Sequence, residues 1–226
     1  MLLYNPRNRS KYELKESSVM IKESSIEHFL RDLASKSPTP GGGSAAAIMG
    51  AMGAALVAMV CNLTVGKKGY EAVSEEMAAL LPTLDGLRNR LVDMVAADVA
   101  AFDQVMDAYG MPRDMDADKL RRSEAIQDAL KQATLVPLEC ARACVEVIDL
   151  SLVAAEKGNK NVISDAGVAV VAAHAALRSA ALNVRVNTGV IRDEAFVTSA
   201  LQDLANLMSG VDQRTEETYQ LVMQKL

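Results

Sequence analysis

From Ala45 to Val60 the chain carries no charged, amide or hydroxyl side chain, and directly before this run stands Ser37-Pro-Thr-Pro-Gly-Gly-Gly-Ser44. A segment of that kind has to be buried along its length, in protein or in lipid. It falls short of the roughly 18 to 20 apolar residues that a membrane-spanning helix needs, and it is built of Ala and Gly more than Leu. The expectation is therefore a central helix buried in protein, with Gly50 and Gly53 as flat patches where neighbouring helices approach. The rest of the composition agrees, because apolar residues make up 50% of the chain, aromatics 4%, and Trp is absent. Ala, Leu, Val and Met must then fill the core, and small side chains favour helix packed on helix.

The flanking sequence supplies the other helices. Ser24-Ser-Ile-Glu27 has capping-box spacing, and Ile26, Phe29, Leu30 and Leu33 follow at helical period. Pro38 and Pro40 hold the next stretch extended, three glycines free the backbone, and Ser44 is the expected N-cap of the second helix, which runs to about Thr64. After the basic turn Gly66-Lys-Lys-Gly69, residues 71–109 read as helix bent at Pro82. Residues 117–156 read as a long helix kinked at Pro137, closed by Lys157-Gly-Asn159. Ser164 or Asp165 is expected to cap a helix reaching Thr188, and Asp193 a last helix running to near the C-terminus. No segment alternates with period two. The fold class is all-α: a bundle of long, partly kinked antiparallel helices with an Ala/Gly-rich central helix. One domain is expected over residues 23–226, behind a poorly ordered extension of residues 1–22 that mixes charges and has no signal-peptide core.

A net charge of −5 without a basic block gives no footprint for nucleic acid. The three cysteines, Cys61, Cys140 and Cys144, are odd in number and lack CxxC spacing. They read as small buried hydrophobes in a reducing compartment, placing the protein in the cytoplasm. His28 and His174 lie far from them in sequence, so no metal site is expected.

Several residues could carry chemistry. Gly41-Gly-Gly-Ser-Ala-Ala46 formally matches the glycine pattern of dinucleotide-binding turns, but that pattern needs a strand before it. Gly41, Gly42, Gly43 and Ser44 reduce to free backbone N–H groups at a helix start, which attract an anion or a polar heterocycle edge. They serve equally as a tight helix entry. Asp98 emerges from periodicity: Leu84, Leu87, Leu91, Met94, Asp98, Ala101 and Val105 recur at steps of three and four, so a carboxylate occupies a core position. Such a group is partnered, protonated or lining a cavity, and desolvation raises its pKa towards the range useful for acid/base catalysis. Asn183 and Asn187 lie one turn apart on one helix face, able to read a heterocycle or to bond a partner helix. Lys67 and Lys68 are a solvated turn or the holders of an anionic tail.

These residues, with Phe29-Leu-Arg-Asp-Leu-Ala-Ser35, Val136-Pro-Leu138, Gly158-Asn159 and Asn183-Val-Arg-Val-Asn187, resemble the cyclodeaminase domain of formiminotransferase-cyclodeaminase and its stand-alone cyclodeaminase and cyclohydrolase relatives. The resemblance spans roughly residues 20–220. It implies a homodimer that handles a folate-bound one-carbon unit with no cofactor beyond its tetrahydrofolate substrate, and no membrane or nucleic-acid partner. The family's proposed catalytic aspartate falls on Asp98. By position, Gly41 to Ser44 would bind the pterin edge or a carboxylate, Asn183 and Asn187 the ring, and Lys67 and Lys68 a polyglutamyl tail. The leading activity implied is the cyclodeaminase step of histidine degradation, in which 5-formiminotetrahydrofolate loses ammonia and becomes 5,10-methenyltetrahydrofolate. Hydrolysis of that methenyl product is the alternative, and a non-catalytic helical binding protein the remoter one.

Overall fold

The computed structural model describes residues 24–226. The proposed extension of residues 1–22 therefore lies outside the described residues. Seven α-helices follow in order: α1 (Ile26–Leu33), α2 (Gly42–Asn62), α3 (Glu71–Gly110), α4 (Asp116–Lys157), α5 (Ile163–Thr188), α6 (Glu194–Met208) and α7 (Val211–Lys225), with a 3-10 turn (Lys160–Val162) leading into α5. No strand occurs among the described residues.

Short links force α2, α3, α4 and α5 to alternate in direction, and the four close into a ring: α2 on α3, α3 on α4, α4 on α5, α5 back on α2. The register is set where glycines let backbones approach. A methyl group on Gly50 would lie 2.9 Å from Cys144 Sγ, and one on Gly53 3.1 Å from the Ala169 carbonyl oxygen. The Ala/Gly-rich run is thus the central element that its composition demanded. By length and apolarity, Gly42–Asn62 and Lys160–Thr188 could each cross a membrane; here they pack against each other. α7 closes the bundle over α5 and α4, and α6 lies against the same pair.

The two longest helices outrun α2. At about 1.5 Å per residue, α3 and α4 are roughly 60 Å long and α2 roughly 30 Å. Their free ends form a small second apolar cluster around Ala108, Ile126 and Leu130. The level at which α2 starts, with α3 and α4 continuing past it, is where the candidate site lies.

Several helix boundaries differ from the sequence reading. Ser25, one residue later than the capping-box spacing suggested, caps α1 by accepting from His28 N–H. Gly41, not Ser44, is the N-cap of α2, because the Ser44 hydroxyl is used on a different helix. Neither Ser164 nor Asp165 caps α5: the 3-10 turn runs straight into it, and the capping side chain moves upstream to Asn159. Asp193 does cap α6. The last helix, however, breaks in two at Gly210, whose φ of +70° is a left-handed conformation that favours glycine.

Candidate active site around Asp98

Of the seam read from α3, Leu84, Leu87, Leu91, Met94 and Ala101 are buried, while Asp98 and Val105 are half-buried. Asp98 sits on that seam level with the first turn of α2. Its Oδ2 accepts a hydrogen bond from the fully buried Ser44 hydroxyl at 2.8 Å, and the Ser44 backbone N–H also donates to the carboxylate. The protein's own carboxylate thus occupies the anion position that the glycine-rich helix entry offered, against the positive end of the α2 dipole. Gly43 makes this possible, since a Cβ there would fall 2.1 Å from Asp98 Oδ1. Glycine at this position makes room for the carboxylate.

Burial pushes the Asp98 carboxyl above the ordinary carboxylate range, and the two hydrogen bonds from Ser44 pull it back without cancelling the effect. A cavity opens beside it, lined by Gly43, Met94, Val136, Pro137, Cys140 and Ala180 among others. It measures about 10 Å³, room for about one water molecule. A base with a raised pKa next to a water-sized hollow can take a proton from that water or return it to a reacting group.

The other candidate residues divide. Asn183 stands beside the entry, its Nδ2 3.9 Å from where a Gly42 side chain would begin, and it donates to the Ser179 carbonyl. Asn187, one turn on, donates from Nδ2 to the Ala133 carbonyl of α4 at 2.8 Å. Gly41 and Gly42 remain partly accessible at the entry, whereas Ser44 serves Asp98 and faces no open space. Lys67 and Lys68 are not brought to this place. They follow the far end of α2, which puts them roughly 30 Å from Asp98 along the helix axis.

Sequence reasoning missed Cys140 and Pro137 as parts of the cavity wall. The sequence offers a signal in Val136-Pro-Leu138, which carries part of the family resemblance, but Pro137 by itself reads only as a kink. All three cysteines are free and buried. The Cys144 thiol is held well above its usual range by a hydrogen bond with Cys140 and then by burial, and burial pushes Cys61 to about 11. Among the described residues no group of three or more His, Cys, Asp or Glu lies close enough to hold a metal ion.

A family model described as formiminotransferase-cyclodeaminase matches residues 25–206. The chain is 56% identical over 201 residues to methenyltetrahydrofolate cyclohydrolase of Methylorubrum extorquens, covering 89% of this chain and 97% of that protein. It is 34% identical over 183 residues to formimidoyltransferase-cyclodeaminase of Sus scrofa, covering 81% of this chain but 34% of that protein. The chain thus spans about a third of the pig enzyme's length. Among solved structures, formiminotetrahydrofolate cyclodeaminase from Thermotoga maritima matches with a TM-score of 0.78 at 33% identity, over 91% of this chain and 97% of that one.

Proposed function

The chain belongs to the formiminotransferase-cyclodeaminase family, and on that premise we propose that it is a folate one-carbon enzyme, a methenyltetrahydrofolate cyclohydrolase. The observation that carries the choice is the 56% identity along 97% of a stand-alone cyclohydrolase, against 33% to a cyclodeaminase of similar extent. The water-sized hollow beside Asp98 fits the same choice, because hydrolysis consumes a water.

The methenyl carbon between N5 and N10 of the substrate is a cationic electrophile. Ionised Asp98 takes a proton from water as the water oxygen bonds that carbon, giving a neutral hydroxy adduct. The C–N5 bond then breaks, N5 receives the proton from Asp98, and the hydroxyl proton leaves to solvent. The formyl group remains on N10. One water is consumed and one proton released, and no cofactor beyond the folate is needed. A positioned base of this kind contributes about 10²- to 10⁴-fold.

Gly41 and Gly42 directly precede Gly43, which touches Asp98, and Asn183 approaches Gly42; these three would hold the pterin edge. A polyglutamyl tail reaching Lys67 and Lys68 is out of range within one chain. The α2 helix exposes an apolar stripe of Met52, Met59 and Leu63, and α5 exposes Leu182 and Val186. A homodimer with α2 paired antiparallel about Met52 would cover the first stripe. It would also bring the lysine turn of one subunit to the glycine entry of the other. The free thiols suit a reducing compartment, hence the cytoplasm.

The Thermotoga maritima structure favours one second reading, cyclodeamination. There N10 attacks the formimino carbon on N5, and the same carboxylate carries the proton from N10 to the departing ammonia. Purified protein offered 5,10-methenyl- and 5-formiminotetrahydrofolate separately, with the methenyl absorbance followed, tests both. Accelerated loss of the methenyl signal is the expected result. Ammonia-linked appearance of that signal without accelerated loss would replace the proposal with cyclodeamination, and neither would leave a binding protein.

A further inference from the structure

Prolines interrupt both of the longest helices, and each frees the carbonyl four residues before it from its usual amide donor. Pro82 of α3 is exposed, and so is Ala78 one turn before it. Water can serve that carbonyl. Pro137 of α4 is buried, and the carbonyl it leaves unpaired belongs to Ala133, itself 9% exposed. A buried carbonyl without a donor is strongly unfavourable and is rarely tolerated. The missing donor comes from α5: Asn187 Nδ2 bonds the Ala133 oxygen at 2.8 Å. On the following turn of α4, Val136, Pro137 and Cys140 form its wall of the cavity that Asp98 lines.

We propose that Asn187 is a positioning residue that replaces the amide Pro137 lacks, fixes the bend of α4, and so holds the Val136–Pro137–Cys140 wall against the Asp98 carboxylate. Its catalytic consequence rests on the reading of Asp98 as the acid/base group. Of the two uses the sequence leaves open to Asn187, a heterocycle or a partner helix, the structure shows the second, with one amide proton given to α4. It also explains why a proline stands in a buried helix interior. The proline ring itself forms part of the wall, and the neighbouring helix supplies the hydrogen bond that the proline cannot. The groups facing Asp98 are few. From α2 come Gly43, Ser44, Ala46 and Ala47, from α5 Ala180, from its own helix Met94, and from α4 the one other titratable lining residue, Cys140. Water admitted by a slack α4 wall therefore changes the hydration of Asp98 directly.

The test is a double-mutant cycle read by melting temperature, with Asn187→Ala made in the natural chain and in a Pro137→Ala background. Pro137→Ala restores a backbone donor to Ala133. Asn187→Ala alone should lower the melting temperature by roughly 2–8 °C, and by less than about half of that fall in the Pro137→Ala background. In parallel, the titration of Asp98 is read without substrate, as the pH dependence of each protein's melting temperature minus that of its Asp98→Asn counterpart. Asn187→Ala should move that titration down towards the ordinary carboxylate range by about half a pH unit or more. The acid limb of kcat should move with it. Equal losses in both backgrounds, or an unmoved Asp98 titration, would overturn the proposal. If Asn187→Ala alone does not fold, recovery of folding with Pro137→Ala supports it, and failure to recover overturns it. A wrong choice of reaction would show instead as absent methenyl turnover in the unmodified protein, which touches neither measurement.

Discussion

The two ends of α2 both bury polar groups, and they do it in opposite ways. At the C-terminal end the groups are neutral and mutually matched. Thr64 donates to the Val60 carbonyl at 2.6 Å and accepts from Asn159 N–H at 2.9 Å, while Asn159 Nδ2 donates to the Leu63 carbonyl at 3.0 Å. Tyr70 accepts from Lys160 N–H at 2.9 Å, tying the link between α4 and α5 to the start of α3. At the N-terminal end a titratable carboxylate is pressed against glycine, with two bonds from Ser44 and a hollow beside it. The first end is a satisfied latch, and satisfied polar groups hold a fold together. The second is unbalanced, its carboxyl raised by burial, the kind of shift that acid/base sites are built to produce.

The sharpest break between the ends is Asp98→Asn. It keeps the shape and an acceptor for Ser44 but removes the base. Methenyl turnover should fall by about 10²- to 10⁴-fold, with the melting temperature preserved or raised. A fall below tenfold in the initial rate would return Asp98 to the same structural class as the latch. Gly43→Ala comes next. The added methyl must displace the carboxylate, at about 1–3 kcal/mol of overpacking, and a displacement near 1 Å should lower turnover by on the order of 10²-fold. Its folded variant, assayed beside Gly86→Ala on the exposed side of α3, where the methyl meets nothing within 4 Å, isolates the carboxylate contact.

Asn159→Ala probes the other end. Losing the donor to the Leu63 carbonyl and the cap of the 3-10 turn should destabilise by about 1–3 kcal/mol, read as a drop in urea midpoint. Turnover per folded molecule should stay within about twofold, because the latch lies roughly 30 Å from Asp98. A matching fall in kcat would mean that the two ends are coupled.

How legible these ends were differs for a physical reason. Asp98 was visible in the sequence because a charged residue on an apolar seam breaks a periodic pattern, and the all-helical fold was visible because the pattern itself was regular. The partner of Asp98 was not. Ser44 read as an N-cap, the commonest use of a serine before an apolar run, and nothing local says that its hydroxyl turns instead to a residue 54 positions away. Asn187 and Pro137 each stand out in the sequence, one as an amide for a heterocycle or a partner helix and the other as a kink. Their connection through the Ala133 carbonyl is a matter of register between α4 and α5, which one-dimensional spacing does not encode. Lys67 and Lys68 looked close to the glycine segment in sequence, but the intervening helix is straight and carries them away from it.

A pH series separates the ends thermodynamically. Asp98 holds its proton more tightly in the folded chain than its ordinary value of 3.8. Between that value and the raised one, the folded state therefore binds more protons than the unfolded state, and stability falls as pH rises. Above the raised value the loss is complete. Asp98→Asn abolishes this step, so the melting temperature of the variant minus that of the natural protein should climb through the window and then level. The latch contributes no comparable step, since Thr64 and Asn159 do not titrate. A flat difference would mean that the Ser44 bonds offset burial fully.

The smallest effect belongs to the turn beyond the latch. Lys67→Ala with Lys68→Ala removes one half-buried and one exposed charge on a surface turn, so stability should change by no more than about 0.5 kcal/mol. If the turn serves the glycine entry of a second subunit, the consequence appears in binding: KM for a polyglutamylated substrate should rise by roughly 2- to 10-fold, with KM for the monoglutamyl form unchanged. That ratio, measured across ionic strength, should shrink as salt screens the pair. An equal rise for both substrates would put the lysines near the pterin, and no rise would confine them to a solvated turn.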